Sequence, residues 1–503
     1  MMHYDAVIIG SGISSLTCAA ILAKKGKSVV VLEQYTKPGG YMHCFSRFGE
    51  RFDTGAHYVG AMGEGQPFRA LLEYLGVYDE SLFVPLDPTG FDVLNFPDFK
   101  VEIPKGYDEA IHSLGALFPN EKAAIRRYFE MVQSVVRCFP TYEFDDSSEI
   151  PVAAESLETS LKDVVEKLTS NLALQCVFYS YCTLHGVEPQ DTPFGFHAIV
   201  TDSLIRGPYG FAQGGDALTR RFVEQIEKNG GKVLTKKRVS RLEVRDRTVV
   251  GVETEDGEMF FGDWVISGIH PKAAFRLLSD TNALTPAFRS RIDHLRESIG
   301  LFGVYAACEQ RQLFNPLRNY YFFDSANPAS FCALRTPHDA PSAVFMSSAR
   351  RLGGSAAVNL HAPGPMEWFE PWRGSRYGAR QDEYKSLKDS YARHIFKLVE
   401  RYSPGFETSV SKFATSTPLT NLHFNGSEDG SAYGIYHSIQ NTGARALGPR
   451  TKILNLLLTG QNSIFPGLLG AAVSALRTAG HIVGTKPILA DLKLKAHERE
   501  LRL

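Results

Sequence analysis

Tyr4-Asp5-Ala6-Val7-Ile8-Ile9-Gly10-Ser11-Gly12 opens the chain with an apolar, β-branched run that stops at closely spaced glycines. Such a run predicts a buried parallel strand. Residues 13–25 then predict a helix, because Leu16, Ala19, Ala20 and Ala23 recur at helical spacing. Lys24 and Lys25 suit its negative end, and Gly26 suits the position just beyond. Ser28-Val29-Val30-Val31-Leu32 predicts a second strand, ending at Glu33. Strand, glycine turn, helix, strand and acid in that order form the context of a dinucleotide-binding fingerprint. Gly10 permits a tight exit from the strand, and Gly12 lets backbone approach a pyrophosphate. The free N–H groups and the dipole of the helix favour that anion. Glu33 is placed to accept hydrogen bonds from both ribose hydroxyls of an adenosine and to repel a 2′-phosphate. Ser15 stands where the pattern has its third glycine, and a minor packing adjustment is expected there. The bland alternative is a structural β-turn-α with no ligand. Gly26-Lys27-Ser28 imitates the tail of a phosphate-binding P-loop but follows a helix and lacks the first glycine, Ile21 standing in its place.

The remainder of the chain bounds the answer. Its 503 residues exceed what one core usually serves, so at least two domains are expected. Lys and Arg total 54 against 55 Asp and Glu, which leaves no basic field for nucleic acid. Cys18, Cys44, Cys138, Cys176, Cys182, Cys308 and Cys332 are odd in number and scattered, which fits reduced thiols. The apolar stretch after Asp5 has no Lys or Arg before it and is interrupted by Gly10 and Gly12, unlike a signal peptide. No apolar run reaches the ~20 residues of a bilayer span. A cytoplasmic protein is expected, with peripheral membrane contact as the alternative. The charged tail from Lys493 is expected to be a solvated helix.

Pro38-Gly39-Gly40 and Phe52-Asp53-Thr54-Gly55-Ala56-His57-Tyr58 follow the fingerprint, each readable as ordinary turn and strand. Gln213-Gly214-Gly215 precedes a helical pattern over 217–228. Residues 232–234, 239–244, 249–254 and 264–266 then predict strands, so β structure returns after a long helical insertion. Residues 453–458 predict a late strand, followed by Thr459-Gly460-Gln461, Phe465-Pro466-Gly467 and a small-residue helix from Gly470. Between these pieces, 121–138 and 161–176 predict amphipathic helices, and 298–308 and 343–348 predict strands. Phe178, Tyr179, Tyr181, Phe194, Phe196, Tyr209 and Phe211, with the run Tyr320-Tyr321-Phe322-Phe323, are singly best read as core. Collectively they suit an apolar tunnel, where burial of a hydrocarbon contributes ~0.8 kcal/mol per CH₂. A nucleophile elbow, an H-E-x-x-H motif and a spaced Cys/His ligand set are lacking, so no metal is expected.

Together these segments resemble the phytoene desaturase, carotenoid isomerase and retinol saturase superfamily of flavoproteins, nearly end to end. Thr417-Pro418 and Tyr433-Gly434 belong to the resemblance, and Gly39-Gly40-Tyr41-Met42-His43, His57-Tyr58 and Gln461 point to the retinol saturase branch (all-trans-retinol 13,14-reductases). The resemblance implies an α/β fold: a discontinuous Rossmann-like FAD-binding domain of glutathione-reductase type with an inserted α+β substrate domain. The pieces implied are 1–70, 208–278 and 441–490 for FAD, 71–207 and 279–440 for substrate, and a tail over 491–503. Gly10, Ser11, Gly12 and Ser14 would line the pyrophosphate, with Ser15 beside them. Glu33 would hold the adenosine ribose, Gln34 would also bind the cofactor, and Val239 would meet the adenine. Gly39, Gly40, Tyr41 and Met42 would pass near the flavin. Gly460 and Gln461 would reach the ribitol–phosphate, although many relatives carry an acid at or near Gln461. Gly467, Leu468 and Leu469 would face the isoalloxazine. The implied activity is saturation of a C=C bond in a lipophilic, retinoid- or carotenoid-like polyene by hydride transfer at flavin N5. Desaturation or cis–trans isomerisation is the alternative, and a non-catalytic flavin-binding protein a further one. His57, Tyr58 and His43 are the titratable candidates for the accompanying proton, each also readable as structural or flavin-positioning. No second fingerprint follows, which implies a diffusible electron partner: quinone, oxygen, a reductase or NAD(P)H.

Overall fold

The computed structural model describes residues 2–500, except 140–141, 143–149, 310–312, 332, 334 and 351–356. Cys332 and the last three residues of the tail therefore lie outside the described residues.

The β-branched opening run forms a strand, His3–Ile9, at the centre of a seven-stranded sheet. It is flanked in parallel by Val29–Leu32 and by Met259–Ser267, and Lys232–Leu234 extends the sheet beyond Val29–Leu32. Met259–Ser267 changes partner along its length. Its start pairs antiparallel with Thr248–Thr254, and its end pairs in parallel with Leu456–Leu458. The chain thus returns to its first sheet from the middle and again near its end. Helices Ile13–Lys24 and Gly467–Val483 pack together, with Leu16, Ala19, Ala20, Ala472, Ala475 and Ala479 buried in one core. Small side chains let the two backbones approach closely. The final helix, Thr485–Glu500, packs on Pro67–Leu75 and buries Ile488, Leu489 and Leu492 in the same core.

A second seven-stranded sheet is ordered Val410–Ser416, Leu301–Cys308, Ala357–Pro363, Ala343–Ser348, Asn319–Phe323, Asp92–Asn95, Lys100–Ile103. Strand alternation splits its aromatic run between two cores. Tyr321 and Phe323 face the helical region containing Phe194 and Phe196, whereas Tyr320 and Phe322 face the helix Asp382–Tyr402.

Three expectations are corrected. The helix expected over 161–176 is two helices, Leu161–Leu168 and Leu172–Tyr179. Thr169 is extended, and the Asn171 side chain caps the second helix by accepting from the Leu174 N–H. The late strand is confined to Leu456–Leu458, since Ile453 donates its N–H to the Thr451 hydroxyl instead of to a ladder. The small-residue helix starts at Gly467, three residues earlier than its apolar pattern suggested. Among the described residues, no helix is long and apolar enough to cross a membrane.

Candidate active site

A cavity of about 890 Å³ runs between the two sheets, near the upper end of ligand pockets. Its first end is the fingerprint turn. Gly10 adopts φ +84°, and its N–H donates to the Leu32 carbonyl, so the turn is pinned to the second strand. Glu33 is buried, and its Oε2 accepts from the Ser11 N–H at 3.0 Å and from the Ser11 hydroxyl. Oε1 accepts from the Tyr35 N–H at 2.7 Å, and the Ser11 hydroxyl in turn accepts from the Gly39 N–H at 3.0 Å. The carboxylate is thereby oriented while lone pairs remain for a ligand. Gly40 passes so close to Gly12 that an added Cβ would stand 3.3 Å from the Gly12 Cα. This bare backbone cradle fits a pyrophosphate.

The C-terminal segment completes that end. Ser14 Oγ lies 2.6 Å from Thr459 Oγ1, and the Gly460 N–H donates to Ser474 Oγ at 3.0 Å. Helices Ile13–Lys24 and Gly467–Val483 both begin at the cavity with no side-chain cap and no acid in the first turn. Their first N–H groups are thus left for an anion or an electron-rich ring edge. The Gln461 carbonyl is held by His437 Nε2 at 2.6 Å.

The far end is built on the second sheet. Tyr321, Phe345, His361 and Gly303 stand opposite one another on successive strands, so one row crosses the sheet. The three side chains of that row line the cavity, with Tyr305 close by. His57 and His361 face each other with ring centroids 4.7 Å apart. Burial chiefly, then the fields of His361 and Arg350, holds His57 well below the ordinary histidine range. Burial also lowers His361, to about 4. Both rings are neutral at physiological pH. Tyr58 Oη is 2.7 Å from Tyr321 Oη and 3.5 Å from Asp92 Oδ2. Asp92 is fully buried, and burial raises its carboxyl to about 7. Its Oδ1 accepts from Asn319 Nδ2 at 2.8 Å, and Asn319 Oδ1 accepts from the Arg350 guanidinium. Arg350 also donates to the carbonyls of His57 and Pro316 at 2.8 and 2.9 Å. Gly210 leaves the room for this guanidinium, since a Cβ there would strike Arg350.

Nearly all the residues singled out in the sequence line this one cavity: Gly10, Ser11, Gly12, Ser14, Glu33, Gln34, Gly39, Gly40, Tyr41, Met42, Val239, Gly460, Gln461, Gly467, Leu468 and Leu469, with His43, His57 and Tyr58. Ser15 does not. It is fully buried beneath Gly268, where helix meets sheet, so it is a packing residue and not a cavity wall. His43 Nε2 is committed to the carbonyls of Lys37 and Pro38, each at 2.9 Å. Of the aromatic residues read as a tunnel between 177 and 211, Phe196 reaches the cavity, whereas Phe178, Tyr179, Tyr181, Phe194, Tyr209 and Phe211 do not. Sequence reasoning missed Asp92, Asn319, Arg350 and His361, which no motif marks. It also missed Cys182, His185 and His197, whose Sγ and ring nitrogens lie within 4.8 Å of one another in a buried cluster. Their spacing, C-x₂-H-x₁₁-H, was visible but unlike a familiar ligand set.

The model of the NAD(P)-binding Rossmann-like domain matches residues 8–75. All-trans-retinol 13,14-reductase of Rattus norvegicus is 28% identical over 97% of this chain and 87% of its own length. The chain is similar to the all-trans-retinol 13,14-reductases along nearly its whole length. Prolycopene isomerase 2 of an Oncidium hybrid cultivar is 25% identical, over 95% of the chain and 84% of its own length. Among solved structures, a triple mutant of putrescine oxidase redesigned for cofactor binding superposes with a TM-score of 0.66 at 14% identity, covering 96% of this chain and 99% of that one. The family resemblance, the Rossmann-like α/β fold and the oxidoreductase class read from the sequence are borne out by these likenesses.

Proposed function

We propose that the chain is an FAD-dependent oxidoreductase that saturates a C=C bond of a retinoid- or carotenoid-like polyene. One observation carries the reading: the cavity that begins at the uncapped fingerprint turn continues without interruption to an aromatic floor. A dinucleotide laid along Gly10–Gly12 and Glu33 would direct its ring system toward Gly467–Leu469 and the row Tyr321, Phe345 and His361. Val239 would flank the adenine, Gln34 the ribose, and Gly39–Met42 the inner part of the cofactor. The bound flavin would supply hydride at N5. The protein's own contribution is to hold the polyene against the aromatic floor, exclude water and manage one proton. Residues 1–70, 208–278 and 441–490 form the FAD-binding part in this reading, and 71–207 with 279–440 the substrate part. Electrons come from a diffusible partner such as a quinone, a reductase or NAD(P)H.

The test is purification in air followed by an absorbance spectrum, then anaerobic photoreduction and addition of retinoids, carotenoids and polyene fatty acids. Flavin reoxidation with a product two hydrogens heavier is the expected result. A colourless protein whose denatured supernatant holds no FAD overturns the reading. Isomerisation is the second reading, favoured by the match to prolycopene isomerase along 95% of the chain. It predicts a product of unchanged mass.

A further inference from the structure

The cavity's far end is lined by two tyrosines, Tyr58 and Tyr321, whose hydroxyls meet, and a carboxyl is sealed behind them. Tyr58 is half-buried and lines the cavity, whereas Asp92 behind it is 0% exposed and does not. On the reading above, we propose that Tyr58 donates the proton that saturation requires, that Asp92 recharges it, and that Tyr321 holds the phenolate oxygen between the two transfers.

The histidines nearby are unsuited to the task. His43 spends its Nε2–H on backbone carbonyls. Burial keeps His57 and His361 neutral, so neither carries an imidazolium proton to give. Tyr58 has the required connections: 2.7 Å to the Tyr321 hydroxyl and 3.5 Å to Asp92 Oδ2. The second distance is long for an O–H···O bond, as contacts awaiting a substrate often are. Asp92 is faced by Tyr58, Tyr181 and Tyr321, and by Arg350 through Asn319. Asn319 fixes one carboxyl oxygen and leaves the other toward Tyr58.

One carbon of the double bond would accept the hydride that a bound reduced flavin would supply, the diffusible donor providing its two electrons. The π pair forms a new C–H bond at the neighbouring carbon with the Tyr58 proton, and the Tyr58 O–H bond breaks. The Asp92 carboxyl passes its proton to the phenolate oxygen. Water entering the emptied cavity restores the proton to Asp92 through Tyr58. The polyene would gain two electrons and two hydrogens, one hydrogen with both electrons from the reduced cofactor and the other as the Tyr58 proton. Because burial places the Asp92 carboxyl at about 7, the relay is charged on the acid side of neutrality. Once Asp92 ionises, its negative field holds the Tyr58 proton more tightly, as the upward shift of Tyr58 by burial and then by Asp92 indicates.

Infrared spectroscopy of the purified protein across pH tests the coupling without turnover. A carboxylic C=O band should disappear with a midpoint near neutrality, be missing in Asp92→Asn, and keep its intensity but move its midpoint in Tyr58→Phe. In turnover, Tyr58→Phe should lose about 10²–10⁴-fold in rate with flavin content retained. Asp92→Asn should flatten the alkaline limb of the pH profile. A neutral-range limb that persists in Asp92→Asn, or a band indifferent to Tyr58→Phe, overturns the proposal. If Asp92→Asn does not fold, Tyr58→Phe decides by band and rate alone. A wild-type protein that shows the coupled band yet reduces no polyene sinks the functional reading and not the Asp92–Tyr58 coupling.

Discussion

Ser14 Oγ and Thr459 Oγ1, 445 residues apart in the chain, meet at 2.6 Å. The contact closes the fingerprint turn against the end of the last strand of its sheet, at the point where both uncapped helices begin at the cavity. Removing one partner leaves the other hydroxyl buried without a mate, a cost of about 1–3 kcal/mol. Ser14→Ala or Thr459→Val should therefore lower the denaturation midpoint, and the double variant Ser14→Ala/Thr459→Val should cost less than the two singles combined. Simple additivity in chemical denaturation would contradict the closure.

Glu33 is held at both oxygens before any ligand arrives, by Ser11 on one side and by the Tyr35 N–H on the other. Glu33→Gln keeps the shape and removes the charge that strengthens bonds to ribose hydroxyls. A hydrogen bond to a charged group contributes about 1.5–3 kcal/mol, so on the proposed reading FAD retention should weaken by about 10- to 100-fold. Equilibrium dialysis of the apoprotein measures it, and an unchanged affinity would remove Glu33 from the site.

Ser15 and Gly268 form a swapped pair. The fingerprint's third glycine is absent, and the glycine that lets helix and sheet approach stands instead across the contact at 268. Gly268→Ala drives a Cβ into Ser15 Oγ and should cost about 1–3 kcal/mol, as overpacking does. Ser15→Gly should be tolerated, and adding it to Gly268→Ala should restore most of the loss. Calorimetry of the four proteins gives the coupling directly; absence of rescue would mean that the clash is with backbone.

The sequence announced the nucleotide end far better than the far end, for a physical reason. Gly10, Gly12 and Glu33 act through local backbone geometry, so their spacing along the chain carries the signal. Asp92 and Asn319 meet through strand register, and which residues a sheet sets side by side depends on pairings between strands far apart in the chain; His361 takes its place in the cavity through the same sheet, and Arg350 follows the strand Ala343–Ser348. Asp92 sits opposite Asn319 although 227 positions separate them. The aromatic run Tyr320–Phe323 misled for the same reason: alternation sends its members to opposite faces, and a run read as one tunnel wall serves two cores. Ser15 was placed at the cofactor by its position in a motif, whereas its contact partner at 268 could only be seen in space.

The buried titratable groups should give the stability a maximum in pH. His57 and His185 lie well below the ordinary histidine value through burial, and burial lowers His197, His361 and His437 to about 3, 4 and 4. Below about pH 6.5 the unfolded chain binds protons that these native rings refuse, so stability falls as pH falls, by up to ~1.4 kcal/mol per unit for each group. Asp92 works in the opposite sense. Its native value of about 7 lies above its unfolded value of 3.8, so the native state holds the extra proton between them. That contribution is complete below about pH 4 and is lost as pH rises through 7. Urea denaturation from pH 4 to 8 should show the acid-side loss in the wild type, and Asp92→Asn should steepen the net rise of stability with pH across that window. His361→Phe should make the rise shallower. If Asp92→Asn leaves the pH dependence unchanged, Asp92 is already ionised in the folded protein and cannot serve as a proton reservoir.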